Sequence, residues 1–228
     1  MIINNLEIAV EHKAIKNMHL SVYPPDGRVK VSAPLLYSNE RIELYVLQKW
    51  NWIQEKRAKV QQYKIQPERE YVSGEAHFFK GQNYRLKVIR NSSIERHAEL
   101  SGTYINLYVK EKDLKTTCEK TLYDFYKKEL QIILDEYIKK WSQILQININ
   151  EYSIKKMRTR WGSCSPEKRT IIFNSELGKK DVSCIEYVVL HELTHIIERT
   201  HGDKFQAILN RYMPDWNNRK QKLNESAL

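Results

Sequence analysis

Residues 188–201 read VVLHELTHIIERTH, three histidines and two glutamates in a run that is otherwise mostly apolar. On an α-helix, residues four apart lie one turn above each other, so His191 and His195 project from one face with their imidazoles close enough to share an ion. Glu192 is one position on, about 100° round the helix. It is turned away from the ligand pair yet within reach of a water held there, which separates ligand from base by geometry. A lone histidine in an apolar helix is most simply a hydrogen-bonded core residue. A second histidine and a glutamate at HExxH offsets favour a metal site instead. The preceding CIEYVVL is apolar enough to bury the helix and to fix the side-chain rotamers behind a metal.

A catalytic zinc takes three protein ligands and keeps a fourth position open, so a third ligand is required. His201 follows His195 by six positions and is the favoured candidate. Glu198 is three past His195 on the same face and competes, either as a ligand or as a group orienting one. It stands where HExxHxxGxxH proteases carry glycine, so the helix is expected to end later. Arg199 and Thr200 would make the turn, and Asp203 would cap KFQAILNRYM. No Glu occurs between His201 and Glu225, which leaves the following helix without a glutamate ligand.

Upstream, MHLSVYPPDGRVKVSAP alternates Met18, Leu20 and Val22 on one side of Asp26-Gly27 with Val29, Val31 and Ala33 on the other, the pattern of a β-hairpin with one buried face. After Pro34 the period becomes helical. Ile42, Tyr45, Val46, Trp50 and Ile53 predict one helix, with Ser38 as its N-cap. YRLKVIR and TYINLYVK read as strands extending the same sheet, with a turn at Ser101-Gly102. From Thr116 to Leu145 an apolar stripe through Leu122, Phe125, Leu130, Ile133, Tyr137, Trp141 and Ile144 predicts the longest helix, its stripe facing the core. Short strands are expected in YSIKKMRTRW and RTIIFNSEL, and a last helix from Trp216.

With 228 residues and 41% hydrophobic content, the chain can bury a core without disulfides. Its three cysteines, Cys118, Cys164 and Cys184, are far apart and form no CxxC pair, so a reducing, cytoplasmic setting is expected. The start MIINNLEIAVEHK has no leader pattern, and no run of about 18 apolar residues occurs, so neither secretion nor a membrane partner is expected. A net charge of +10 makes nucleic acid a candidate partner through a basic surface, although no RNP, zinc-finger or KH motif accompanies it.

RTRWGSCS at 158–165 has two readings. In one, a strand buries Trp161 while Gly162 lets another backbone approach. In the other, Arg158 or Arg160 lies near the metal and stabilises an oxyanion. Cys164 is not expected to bind metal, because the histidine set is already complete. His12, His19, His77 and His97 are expected on the surface or within hydrogen bonds.

RTRWGSCS, IIFNSEL at 171–177, YVVLHELTHIIERTHGDKF at 187–205 and YPPDGRVKVSAP together resemble the YgjP-like metallopeptidases, relatives of the SprT-type proteases. The resemblance implies one Zn2+ per chain on His191, His195 and His201, with Glu192 as base. It also implies a small zincin-like core in which a backing helix and a short sheet flank the active-site helix. One departure is that SPEKRT lacks the glycine commonly found after the RWGSCS strand, which bears on the shape of that turn.

The expectation is an α+β protein with a strand-rich region at 1–112 carrying one helix, followed by a zincin-like catalytic region at 113–228. Its function would be zinc-dependent hydrolysis of a protein or peptide. One alternative is a metal-dependent nucleoside triphosphate pyrophosphohydrolase, in which Lys155, Lys156, Arg158 and Arg160 meet phosphate; a single zinc on neutral ligands is less typical of that chemistry than carboxylate-bound magnesium. Another is a nucleic-acid-associated protease of the SprT type.

Overall fold

A computed structural model describes residues 1–23, 26–62 and 69–225, and shows a mixed α+β protein with six α-helices among them. By packing, the chain divides at Glu68–Arg69 rather than near residue 112. The strands between Ala76 and Val109 bury their apolar face on the helix that follows them, so a cut at 112 would split one core.

In the first unit, β1 (Ile2–Ile3), β2 (Leu6–Lys13), β3 (His19–Tyr23) and β4 (Arg28–Pro34) form a sheet of order β1-β2-β4-β3. β3 and β4 are the expected antiparallel hairpin. Gly27 takes φ +71°, and its N–H donates to the Tyr23 carbonyl at 2.9 Å; Pro24 and Pro25 of the quoted stretch lie outside the described residues. The β1–β2 pair was not expected from the sequence. Its signal is Asn4-Asn5, both left-handed (φ 47° and 62°), since asparagine tolerates that region better than most residues. The expected single helix is two, α1 (Asn39–Gln48) and α2 (Trp50–Gln62). Lys49, at ψ 11°, leaves the helical region between them, while Ser38 accepts from the Arg41 N–H as an N-cap should. Ile42, Val46 and Ile53 still share one core with Ile8, Val29 and Val31.

In the second unit, β5 (Ala76–Phe79), β6 (Gln82–Arg90), β7 (His97–Ser101) and β8 (Tyr104–Val109) make a separate sheet of order β5-β6-β8-β7. They do not extend the first sheet, because Leu86, Ile105 and Leu107 find their apolar partners on the helix after them. That helix, α3 (Lys115–Leu145), serves two cores. Leu122, Phe125 and Tyr126 cover the β5–β8 sheet, while Leu130, Leu134 and Trp141 join a larger core under the histidine helix; Ile144, placed in the stripe by periodicity, is exposed.

The larger core contains a three-stranded sheet of order β10-β11-β9, built from β9 (Glu151–Lys155), β10 (Gly162–Ser165) and β11 (Thr170–Asn174). β10 is an edge strand, antiparallel to β11. Arg169 turns the chain between them in the left-handed region (φ 50°), the job a glycine would otherwise do in SPEKRT. After a 3-10 turn at Ser175–Lys179 comes α4 (Val182–Ile197), capped by Asp181, whose Oδ1 accepts from the Ser183 N–H at 2.8 Å. Every residue of α4 from Cys184 to Leu190 is buried, which is why CIEYVVL shows no polar stripe and holds a single charged residue, Glu186. α5 (Asp203–Tyr212) and α6 (Trp216–Glu225) complete the unit.

Candidate functional site

α4 carries His191 and His195 on one face, as the four-residue spacing requires, and the chain beyond it folds back to add His201. The ring centroids stand 5.0, 4.9 and 4.7 Å apart pairwise, and one nitrogen from each ring lies within 4.8 Å of the others. The Nε2 atoms of His191 and His201 are 3.1 Å apart. Two nitrogens on a tetrahedral zinc, each at about 2.05 Å, would be about 3.3 Å apart. The donor set and its spacing therefore fit a single ion of zinc's size. The outer nitrogens are also engaged, since His195 Nδ1 lies 3.2 Å from the Glu198 carbonyl and His191 Nδ1 lies 3.3 Å from the Tyr187 hydroxyl. With Nδ1–H donated outward, each Nε2 keeps its lone pair for the centre. Phe205 of α5, buried, packs on all three rings at 4.8 to 5.0 Å between centroids.

Burial, aided by the His195 and His201 imidazoles, pushes the His191 pKa down to about 3; burial lowers that of His195 too. Both rings are neutral near pH 7, the form that binds metal. Glu192 is 4% exposed, and burial pushes its pKa up to about 8 against the opposing pull of Arg160. Its Oε2 has no hydrogen-bond partner among the described residues. Its carboxylate rests on Gly162 of β10, where a Cβ would come within 2.5 Å of Oε1. Gly162 thus admits the Glu192 side chain, not another backbone.

These groups line a cavity of about 600 Å³ walled by β10 and by Lys220, Leu223 and Asn224 of α6. Trp161 is half-buried and packs against the larger core. It is partly exposed on the cavity wall and donates Nε1–H to Asn224 Oδ1 at 3.2 Å. Arg160 lines the cavity and Arg158 is not among the residues that do. At the rim, Arg199 pairs with Glu167 at 2.6 Å. Cys164 also faces the cavity. Burial, reinforced by Glu192 and Glu167, raises its pKa to about 11, which keeps the thiol protonated, and it lies outside the histidine cluster.

The Glu198 carboxylate is not part of the histidine cluster and accepts from the Thr200 N–H and hydroxyl at 3.2 and 3.0 Å. Its contact with the site runs through the main-chain carbonyl to His195, which any residue could supply. Gly202, not Asp203, is the N-cap of α5; Asp203 is its first helical residue and makes no side-chain cap. Of the remaining histidines, His12, His19 and His97 are exposed. His77 is buried 3.6 Å from Glu75, its Nε2 without a hydrogen bond.

Sequence reasoning missed Asn174. It is fully buried at the end of β11, and its Nδ2 donates to the carbonyls of Met157 and Arg160 at 2.9 and 2.8 Å. Its Oδ1 accepts from the N–H of Met157 and of Glu176. One amide thereby fastens the loop that carries Arg160 to the strand beneath it. The signal was an asparagine directly after the apolar run IIF.

A search of curated proteins found no match. Among solved structures, the chain is similar to the metallopeptidase zymogen jannalysin of Methanocaldococcus jannaschii, 25% identical over 40% of this chain and 92% of that one, with a TM-score of 0.35. It is also similar to the metallopeptidase zymogen abylysin of Pyrococcus abyssi, 16% identical over 42% and 98%, with a TM-score of 0.37. The model of the YgjP-like metallopeptidase domain matches residues 16–226, nearly the whole chain. The chain belongs to the YgjP-like metallopeptidase family, and it is a hydrolase.

Proposed function

We propose that this metallopeptidase is zinc-dependent, with His191, His195 and His201 as ligands, Glu192 as general base, and a zincin-like arrangement of α3, α4 and the β9–β11 sheet. The observation that carries the reading is the convergence of three ring nitrogens beside a buried carboxyl group with an unpartnered oxygen. Bound zinc would supply Lewis acidity, polarising a carbonyl and acidifying water.

The remaining work falls to the chain's own side chains. Glu192 Oε2, without a hydrogen-bond partner among the described residues, accepts the proton of the attacking water and returns it to the leaving amine. Arg160 has no ion-pair partner among the described residues and faces the same cavity, where its guanidinium offsets negative charge developing on the carbonyl oxygen. Asn174 holds the Arg160 backbone in place. β10 is an edge strand lining the cavity, so an extended peptide can pair with it along the free edge.

The pyrophosphohydrolase alternative is weakened by placement. Of Lys155, Lys156, Arg158 and Arg160, only Arg160 lines the cavity, and Lys156 pairs with Glu119 at 3.3 Å. The test incubates zinc-loaded wild type and Glu192→Ala with an unfolded protein and with a panel of nucleoside triphosphates, each with and without single-stranded DNA. Cleavage of the protein by wild type alone is expected, with the triphosphates intact. Glu192-dependent pyrophosphate release without proteolysis would replace this reading. Proteolysis that requires DNA would favour the SprT-type, nucleic-acid-associated form.

A further inference from the structure

We propose that Gly162 is the positioning residue for the Glu192 carboxylate, giving the RWGS segment a role in setting the base rather than in binding metal. The proposal rests on the reading of Glu192 as base and adds what holds it. A Cβ at position 162 would lie 2.5 Å from Glu192 Oε1, 2.7 Å from Cγ and 2.8 Å from Cδ, distances that side-chain carbons do not tolerate. Gly162 is not among the residues with positive φ, so its backbone is open to any amino acid. The need for glycine at this position comes from contact alone.

Two features decide which partner yields when a methyl group is added. The strand is held from behind. Gly162 pairs with Phe173, which is fully buried, and the Asn174 N–H donates to the Trp161 carbonyl at 2.9 Å while its side chain grips Arg160 and Met157. Glu192 has no such restraint on Oε2, which makes no hydrogen bond among the described residues. The flexible end of Glu192 therefore moves. The cost falls on the position of the carboxylate and much less on the fold, because a rotamer change is cheaper than breaking the strand pairing to buried Phe173. A general base displaced by about 1 Å loses on the order of 100-fold in rate.

The test is Gly162→Ala in the zinc-loaded full chain, with turnover of a cleaved peptide and metal content measured together. The expected result is a kcat lower by about 100-fold, a KM within about threefold, and unchanged zinc stoichiometry. A cycle with Glu192→Ala supplies a readout independent of turnover. Any loss of melting temperature caused by Gly162→Ala should disappear when Glu192 is already alanine, since the clashing atoms are then gone. If Gly162→Ala does not fold, the double variant decides, and recovered folding assigns the clash to Glu192. A wild-type kcat in Gly162→Ala, or an equal stability loss with and without the Glu192 side chain, overturns the proposal. A Glu192→Gln protein with full activity overturns instead the reading it rests on.

Discussion

The two ends of α4 bury the same residue type to opposite effect. Near its start, Glu186 is 9% exposed and takes salt bridges from Lys140 of α3 and Arg219 of α6, each at 2.6 Å. Near its end, Glu192 is 4% exposed and its Oε2 has no partner among the described residues. Burial pushes both carboxyls up. At Glu186 the hydrogen bonds from Lys140 and Arg219 outweigh it and hold the group below the usual carboxylate range, while at Glu192 burial wins and the value rises to about 8. A buried carboxylate with two cations ties three helices together. One left unpaired keeps its proton up to about pH 8 in the metal-free protein.

The largest expected effect lies at the reactive end. His191→Ala or His195→Ala should lower bound zinc from about one equivalent per chain to near zero, measured by metal analysis after dialysis. His201→Ala should weaken zinc on the order of 100-fold or more in a chelator competition. Glu198→Ala should stay within about threefold, below the roughly 10–100-fold typical of an orienting side chain, because its contact with His195 is made by the main chain. A Glu198 variant that loses metal while the His201 variant keeps it would reverse that assignment.

At the structural end, Glu186→Gln should cost about 2 kcal/mol in urea unfolding, a buried ion-pair figure reduced because Lys140 is half exposed. Zinc content should not change. The two carboxylates also predict opposite pH slopes. Glu186, depressed in the fold, contributes stability that is complete above its unfolded value of 4.5 and is lost as pH falls through its lower folded value. Glu192, raised in the metal-free fold, contributes stability present below 4.5 and lost as pH rises to about 8. In chelated protein, Glu186→Gln should therefore flatten the acid limb of a melting-temperature profile, and Glu192→Gln the alkaline one. Identical profiles for the two variants would erase the distinction between the ends of the helix. The smallest effect is expected at the cavity rim, where Arg199 and Glu167 are 67% and 62% exposed; Arg199→Ala should change stability by no more than about 0.5 kcal/mol.

What the sequence made legible was what it encodes locally. The four-residue spacing put His191 and His195 on one face, the apolar stripe placed α3 to within a residue at its start, and Ser38 announced a helix. Long-range pairing left no such trace. Lys140 and Arg219 are 46 and 33 residues from Glu186, so nothing local marks them as its partners. Gly162 read as a place for a backbone because glycine spacing cannot say which atoms approach it. The second sheet was assigned to the first because strand periodicity names a buried face without naming what covers it. Lys49 broke the expected helix although it sits in an unbroken apolar rhythm, a backbone choice that periodicity does not record.

In the proposed mechanism Glu192 moves the proton while the histidines hold the metal. The most direct test is Glu192→Gln, which keeps the shape of the side chain and removes its basicity. Zinc-loaded wild type and variant are assayed side by side for metal content and for cleavage of one unfolded protein. One equivalent of zinc in both, and cleavage by the wild type alone, is the expected result. A variant that holds its zinc and still cleaves at the wild-type rate would contradict it.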